Sequence, residues 1–278
     1  MTLLLEEELG CDYGSGGIWD YVSASRLSLW LHCPLAFKLR YIDGIRLPTS
    51  PSQFIGKQVH AGLELWHRQR QIGRPLAIPE LVASLASGWQ EAVETESVTF
   101  DSAEDEQVAR QQVSSLLTTY LSGVGASDPM PLAVEIHLAT PLVDPFSGEN
   151  LGLPLVGVLD LVLPSRNGPL VVDYKTSGRS APPLEILHEV QLSSYSYLLR
   201  EATGQVESSL EIRSLIKTKT PKVEIHAFEA RQERHFRRLF AVLREYLDAL
   251  DRGRFNYRPG WGCTFCNLRA SHCPQWDG

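Results

Sequence analysis

Two aspartates and a lysine carry the most suggestive chemistry in this chain. Gly157-Val-Leu-Asp160 sits inside one apolar run, and Asp173-Tyr-Lys175 closes the next. If the two runs pair as a hairpin, both carboxylates and the ammonium converge at one end of a sheet. Asp173 and Lys175, two residues apart, then share a face because strand side chains alternate. Two aspartate oxygens make a hard anionic site suited to magnesium or manganese. An adjacent lysine can orient an attacking water, or neutralise charge on a phosphate in the transition state. Metal, water and ammonium around a phosphodiester constitute a phosphoryl-transfer site.

Three other patterns bear on that chemistry. Gly56-Lys-Gln-Val-His60 places a histidine on a helix, beside the apolar stripe of Val59 and Leu63. Such a histidine is as readily a satisfied structural residue as a ligand. Gln191-Leu-Ser-Ser-Tyr195 sets an amide and a phenol at i and i+4 on one helical face, which taken alone reads as polar surface. Finally, Cys33-Pro34 lies near the start of the chain, and Cys263, Cys266 and Cys273 close it as C-x2-C-x6-C-P. Four soft thiolates at this spacing suit a tetrahedral zinc or an iron–sulfur cluster. Cys11, in Cys-Asp-Tyr-Gly-Ser-Gly-Gly, has no nearby partner and is read as a free thiol.

These residues need elements to position them. Ser23–Leu39 opens with hydroxyl residues suited to an N-cap, and Leu27, Trp30 and Leu31 follow at helical spacing. A helix over 52–71 carries Ile55, Val59, Leu63 and Trp66 as its buried stripe. Residues 79–122 read as two more helices with a break at 100–103. Strands are expected over 132–142, 153–163 and 169–174, joined by turns at 145–150 and 165–168, which makes a three-strand meander. A helix over 184–203, strands over 208–217 and 223–228, and a long amphipathic helix over 230–251 follow. The tail from Gly253 is rich in Gly, Pro, Trp and Cys; no regular element is expected there, and a bound metal would supply its structure.

The 278 residues are 43% hydrophobic and 21% charged, an ordinary globular composition. No apolar run approaches the roughly 20 residues that span a bilayer. The first ten residues contain Glu6, Glu7 and Glu8 and lack the basic start of a secretory signal, so an intracellular, cytoplasmic location is expected. In a reducing compartment clustered cysteines read as metal ligands rather than disulfides. A net charge of −7 argues against indiscriminate nucleic-acid binding but leaves room for a local basic track. Arg213, Lys217, Lys219, Lys222, Arg231, Arg234, Arg237 and Arg238 could form one, or be a solvated helix face and hairpin.

Taken together, the motifs at 56–60, 157–160, 173–175 and 191–195 resemble the RecB-like branch of the PD-(D/E)XK nuclease superfamily. With the flanking cysteines, the chain is similar to its iron–sulfur members, the CRISPR-associated exonuclease family and the nuclease domain of AddB. The resemblance runs over about residues 23–276. It implies an α/β fold: a restriction-endonuclease-like mixed sheet flanked by helices, with an N-terminal helical insertion and a C-terminal iron–sulfur tail. The implied organisation is an extension at 1–22, a nuclease domain at 23–252 with a helical subdomain at about 52–124, and a cluster-binding tail at 253–278. His60, Asp160, Asp173 and the Tyr174 carbonyl are implied as ligands of magnesium or manganese, and Lys175 as the group that helps activate water. Gln191 and Tyr195 are implied to position DNA and the catalytic centre. Cys33, Cys263, Cys266 and Cys273 are implied as ligands of a structural [4Fe–4S] cluster, with zinc as the alternative. Glu135, on the preceding strand, either touches the site or lies on the surface.

The implied activity is metal-dependent hydrolysis of DNA, with a preference for single strands and exonucleolytic cutting, in repair, recombination or CRISPR adaptation. Two rival readings remain. One is an idle relative that binds DNA or acts as a scaffold. The other is a nuclease arm that is inert until a helicase or CRISPR integrase partner delivers DNA, since the chain has no G-x4-G-K-[ST] phosphate loop of its own.

Overall fold

The computed structural model describes residues 17–180 and 185–275. Cys11 and most of the expected N-terminal extension lie outside the described residues. In chain order the elements are β1 (Val22–Ser23), α1 (Ala24–His32), α2 (Pro34–Tyr41), α3 (Pro51–Gln71), α4 (Ile78–Ser87), α5 (Trp89–Thr95), α6 (Ala103–Ser122) and α7 (Val124–Ser127). There follow β2 (Ala133–Val143), β3 (Asn150–Leu163), β4 (Leu170–Ser177), α8 (Glu185–Thr203), β5 (Ser209–Ile216), β6 (Lys222–Glu229) and α9 (Glu233–Asp251), then a short 3-10 turn at Trp261–Phe265. Among the described residues no helix is long and apolar enough to cross a membrane.

The strands form one mixed six-stranded sheet. β3 pairs along one edge with antiparallel β2. Its other edge is shared: β4 pairs antiparallel at Leu161–Leu163 and β1 pairs parallel at Leu155 and Val156. Between these two partners, residues 157–160 of β3 have no strand beside them on that edge. The sheet continues from β4 to parallel β5 and antiparallel β6. A parallel β4–β5 pair requires a crossover, and α8 supplies it. The predicted meander is present as β2–β3–β4, although its second pairing is only three residues long.

Helices cover both faces. α1, α2, α8 and α9 bury Leu27, Phe37, Leu198 and Leu243 against Leu138, Leu155 and Leu159. α3 to α6 bury Phe54, Leu63, Leu81 and Leu117 against Val134, Leu161, Val172 and Leu215. α3 starts sharply because Ser50 and Gln53 form a reciprocal capping box ahead of Pro51.

The structure amends four expectations. The stretch 23–39 is two helices, because Pro34 has no N–H to continue the first; Cys33 is the extended residue at the corner. The stretch 79–122 is three helices, with an extra interruption at Gly88. The tail contains the 3-10 turn. Five of the eight residues of the late basic run are engaged by acids: Arg213 is buried on Asp128, Arg231 is buried on Glu185, and Lys222, Arg237 and Arg238 pair with Glu224, Glu233 and Glu189.

Arg213 also anchors a buried polar chain that fixes β4. Its Nη1 lies 2.6 Å from both Tyr120 Oη and Asp128 Oδ2. Tyr120 Oη lies 3.0 Å from Tyr174 Oη, which in turn lies 3.1 Å from His67 Nε2. Burial, then Arg70 and Arg213, push His67 down to about 3, so its ring is neutral. Removing one partner of a buried ion pair leaves the other charge uncompensated, which costs about 3–5 kcal/mol. Arg213→Met should therefore lower the urea midpoint by a corresponding amount. Adding Asp128→Leu should recover part of the loss, because the orphaned charge then disappears too.

Candidate metal centre

The β2–β3 register pairs Val134 with Leu161 and Ile136 with Leu159, which sets Glu135 opposite Asp160. The β3–β4 register pairs Leu161 with Val172, so the next opposed residues are Asp160 and Asp173. Three carboxylates thus form one row across three strands. The backbone is distorted there. Glu135 has φ +46°, a left-handed conformation that is rare for a non-glycine residue and clusters at functional sites. The inward alternation inverts at the same point. Ile136 and Leu159 pack toward α8 and α9, whereas Val134 and Leu161 pack toward α3 and α6. Asp160 sits at this inversion, and its Oδ2 accepts from Tyr174 N–H at 2.7 Å, standing in for a ladder bond that β3 no longer makes.

His60 reaches the row from α3. Its Nδ1 lies 3.7 Å from Asp160 Oδ2 and 4.0 Å from Glu135 Oε1, while Nε2 lies 3.0 Å from the Tyr174 carbonyl. A carbonyl only accepts, so in the neutral ring Nε2 carries the proton and Nδ1 presents its lone pair to the carboxylates. An imidazole tethered in this way is typical of metal-binding histidines. The two motif glycines explain the approach of the helices. A Cβ on Gly56 would lie 2.8 Å from Thr176 Oγ1, so α3 meets β4 closely one turn before His60. A Cβ on Gly157 would lie 2.7 Å from Leu198 Cδ1, where α8 packs on β3.

Lys175 lies beside Asp173, with Nζ 3.1 Å from Oδ1 in a hydrogen bond and 2.8 Å from Oδ2 without hydrogen-bond alignment. Asp173 Oδ2 is buried and has no hydrogen-bond partner. Gln191 Nε2 donates to Asp173 Oδ1 at 2.8 Å and lies 2.8 Å from Tyr195 Oη. Tyr195 is only 8% exposed, so its phenol meets Gln191 rather than the open cleft. The i, i+4 pair therefore braces the carboxylate.

The donor set fits a hard cation. One ligand atom each of His60, Glu135 and Asp160 lies within 4.8 Å of the other two, and Asp173, whose Oδ2 makes an ion pair with Lys175 but no hydrogen bond, is the next acid in the row. Burial, Asp160 and Glu64 push the Glu135 carboxyl up to about 7, against the pull of Arg68. Burial first, and then the Asp173 carboxylate, push Asp160 up as well. Both carboxyls resist ionisation without a counter-charge. Glu135, left open in the sequence, belongs to the centre; the signal that would have found it is its cross-strand position opposite Asp160.

The four remaining thiols line one cavity of about 160 Å³, formed by the α1–α2 corner and the tail. Arg258 Nη1 donates to the Leu31 carbonyl, and Gly262 lies where a Cβ would overlap the His32 ring. The tail is thus folded onto α1. Among the described residues no three of these sulfurs come within 4.8 Å of one another. A single tetrahedral zinc with Zn–S bonds of about 2.3 Å would hold its sulfurs about 3.8 Å apart.

Carboxyls whose folded pKa is raised contribute stability below their ordinary range and lose it as pH rises through the folded value. For Glu135 and Asp160 that window runs from about pH 4 to about pH 7. Metal-free Asp160→Asn should therefore melt above the wild type at pH 8, by roughly 2–4 °C for each kcal/mol of relieved repulsion. The gap should close as the pH approaches 4. Manganese should raise the melting temperature of the wild type but not that of the variant.

The profile of the PD-(D/E)XK nuclease superfamily matches residues 21–274. No curated protein matches the sequence. The fold is similar to the crystal structure of a protein from Eubacterium rectale provisionally named as an exonuclease. The two align with a TM-score of 0.60 at 13% identity, over 96% of this chain and 92% of that one. A more distant similarity, to the structure of SSO0001, has a TM-score of 0.36 at 15% identity, over 62% of this chain and 77% of that one, and carries no weight. The superfamily profile spans the whole sheet, both helical layers and the tail, and the chain belongs to the PD-(D/E)XK nuclease superfamily.

Proposed function

We propose that the chain is a metal-dependent deoxyribonuclease of the iron–sulfur branch of this superfamily, acting on single strands as an exonuclease. The carrying observation is that His60, Glu135 and Asp160 meet at the wall of an open cleft of about 810 Å³, with Asp173 and Lys175 beside them. A scaffold needs no row of three acids with a braced lysine. Magnesium or manganese held by His60, Glu135, Asp160 and Asp173 would make a bound water nucleophilic and offset charge on the phosphate oxygens.

The protein's own groups do the positioning. Tyr174 O fixes the His60 ring, Tyr174 N–H fixes Asp160, and Gln191 fixes Asp173. Asp173 in turn holds the Lys175 ammonium, which donates to the attacking water and keeps it in line with phosphorus. The water oxygen would bond to phosphorus as the P–O ester bond breaks, its proton passing to bulk water and the leaving oxygen taking a proton from solvent. In the proposed site the carbonyl of Tyr174, 3.0 Å from His60 Nε2, is a further oxygen ligand for the metal.

We assign Cys33, Cys263, Cys266 and Cys273 to a structural [4Fe–4S] cluster. All four cysteines line one cavity, and the choice of a cluster over zinc rests on the resemblance to the iron–sulfur members.

With manganese and single-stranded DNA, Lys175→Ala and Asp160→Ala should each lower the cleavage rate by about 10²–10⁴-fold, with duplex DNA cut more slowly by the wild type. A wild type that binds DNA yet cuts no faster than either variant would identify an idle relative. Anaerobically purified protein should absorb in the visible and lose that band in Cys33→Ala. Colourless protein with one equivalent of zinc would reassign the tail.

A further inference from the structure

The two aromatic rings of the 3-10 turn lie on the surface: Trp261 is 77% exposed and Phe265 67% exposed. Their ring centroids are 5.7 Å apart at 70°, so they form one apolar step exposed among the described residues. Phe265 lines the same cleft of about 810 Å³ as His60, Glu135 and Asp160. Arg40, Arg46 and Lys57 also line this cleft. Arg40 and Arg46 are exposed and make no ion pair among the described residues, whereas Lys57 is paired with Glu96. One cleft thus brings together Phe265 of the aromatic step, two guanidinium groups that make no ion pair among the described residues, and the acid row.

We propose that Trp261 and Phe265 are a base-stacking platform for a nucleic-acid single strand whose backbone follows Arg40 and Arg46 to the metal centre. The proposal rests on the nuclease reading of that centre and adds its selectivity for strand form. Aromatic side chains interleaved with a basic groove are the general means of holding a single strand without reading its sequence, because every base has a π-face. A duplex cannot use the step, since its bases are already stacked and paired within the helix. The cations complement a phosphodiester backbone, which commits the surface to a polyanion rather than to an apolar protein segment. The platform also gives the cysteine tail a part in binding. The fold of the tail places the 3-10 turn at the mouth of the cleft, and the close approach of Gly262 to His32 fixes the turn against α1.

The test is anisotropy of labelled oligonucleotides with full-length protein in a metal chelator, so that binding is read without cleavage. Trp261→Ala should weaken binding of a short thymidine oligonucleotide by about 10- to 100-fold, and Trp261→Phe should retain most of the affinity. An abasic strand of equal length keeps the phosphates and removes the bases, so wild type and Trp261→Ala should bind it alike. Phe265→Ala, a second exposed truncation, is read in the same way. The proposal is overturned if Trp261→Ala and Phe265→Ala bind the thymidine strand as tightly as the wild type, or lose the same factor on the abasic strand. Manganese-dependent cleavage by the wild type is scored separately. Its absence alongside base-dependent binding would defeat the nuclease reading and leave the platform standing.

Discussion

Three carboxylates on adjacent strands, two of them nearly excluded from water, impose the constraint around which the rest of the molecule is arranged. Like charges opposed across a sheet destabilise it, and desolvation adds to the penalty. Burial first, and the neighbouring carboxylates second, raise the pKa values of Glu135 and Asp160. Several features offset the penalty in part: the Tyr174 N–H on Asp160, and the Lys175 ammonium and Gln191 amide on Asp173. On the proposed reading, the remaining unmet charge is what a divalent cation would neutralise. Loss of the regular β3–β4 ladder beyond Leu161 frees Tyr174 N–H for a side chain, and the unpaired edge of β3 over 157–160 opens the site to the cleft.

The two helical layers hold the row from opposite sides. α3 brings His60 in from the half built on Phe54, Leu63 and Leu117. α8 brings Gln191 from the half built on Leu192, Leu198 and Phe240. Gly56 and Gly157 permit these approaches, since a Cβ at either would collide with the neighbouring element. Behind β4, the chain from Arg213 through Tyr120 to Tyr174 and His67 fixes the strand that carries Asp173 and Lys175. The same tyrosine serves the site with its backbone and the core with its side chain.

Much of this was legible from spacing alone. The strands and long helices follow from periodicity, and Asp160, Asp173 and Lys175 converge as alternation requires. Gln191 and Tyr195 do share a helical face. What periodicity could not show is the inversion of the alternation at Glu135 and Asp160, because a positive φ at a glutamate has no local sequence signal. Glu135 was therefore ambiguous until its cross-strand partner was known. Charge content also misled at Arg213, a basic residue in a basic run that serves a buried pair. Arg40 and Arg46, which make no ion pair among the described residues, carry no sequence signal of a site, and only the fold shows that they line the same cleft as the acids.

The central claim is that the acid row and His60 form a cation site. Crystals soaked in manganese and measured near its absorption edge test this most directly, because anomalous scattering locates the ion without reference to activity. The account predicts an anomalous peak among His60, Glu135, Asp160 and Asp173 that disappears in Asp160→Asn. Manganese bound only elsewhere, or none at the row at a concentration that saturates the thermal shift, would contradict it.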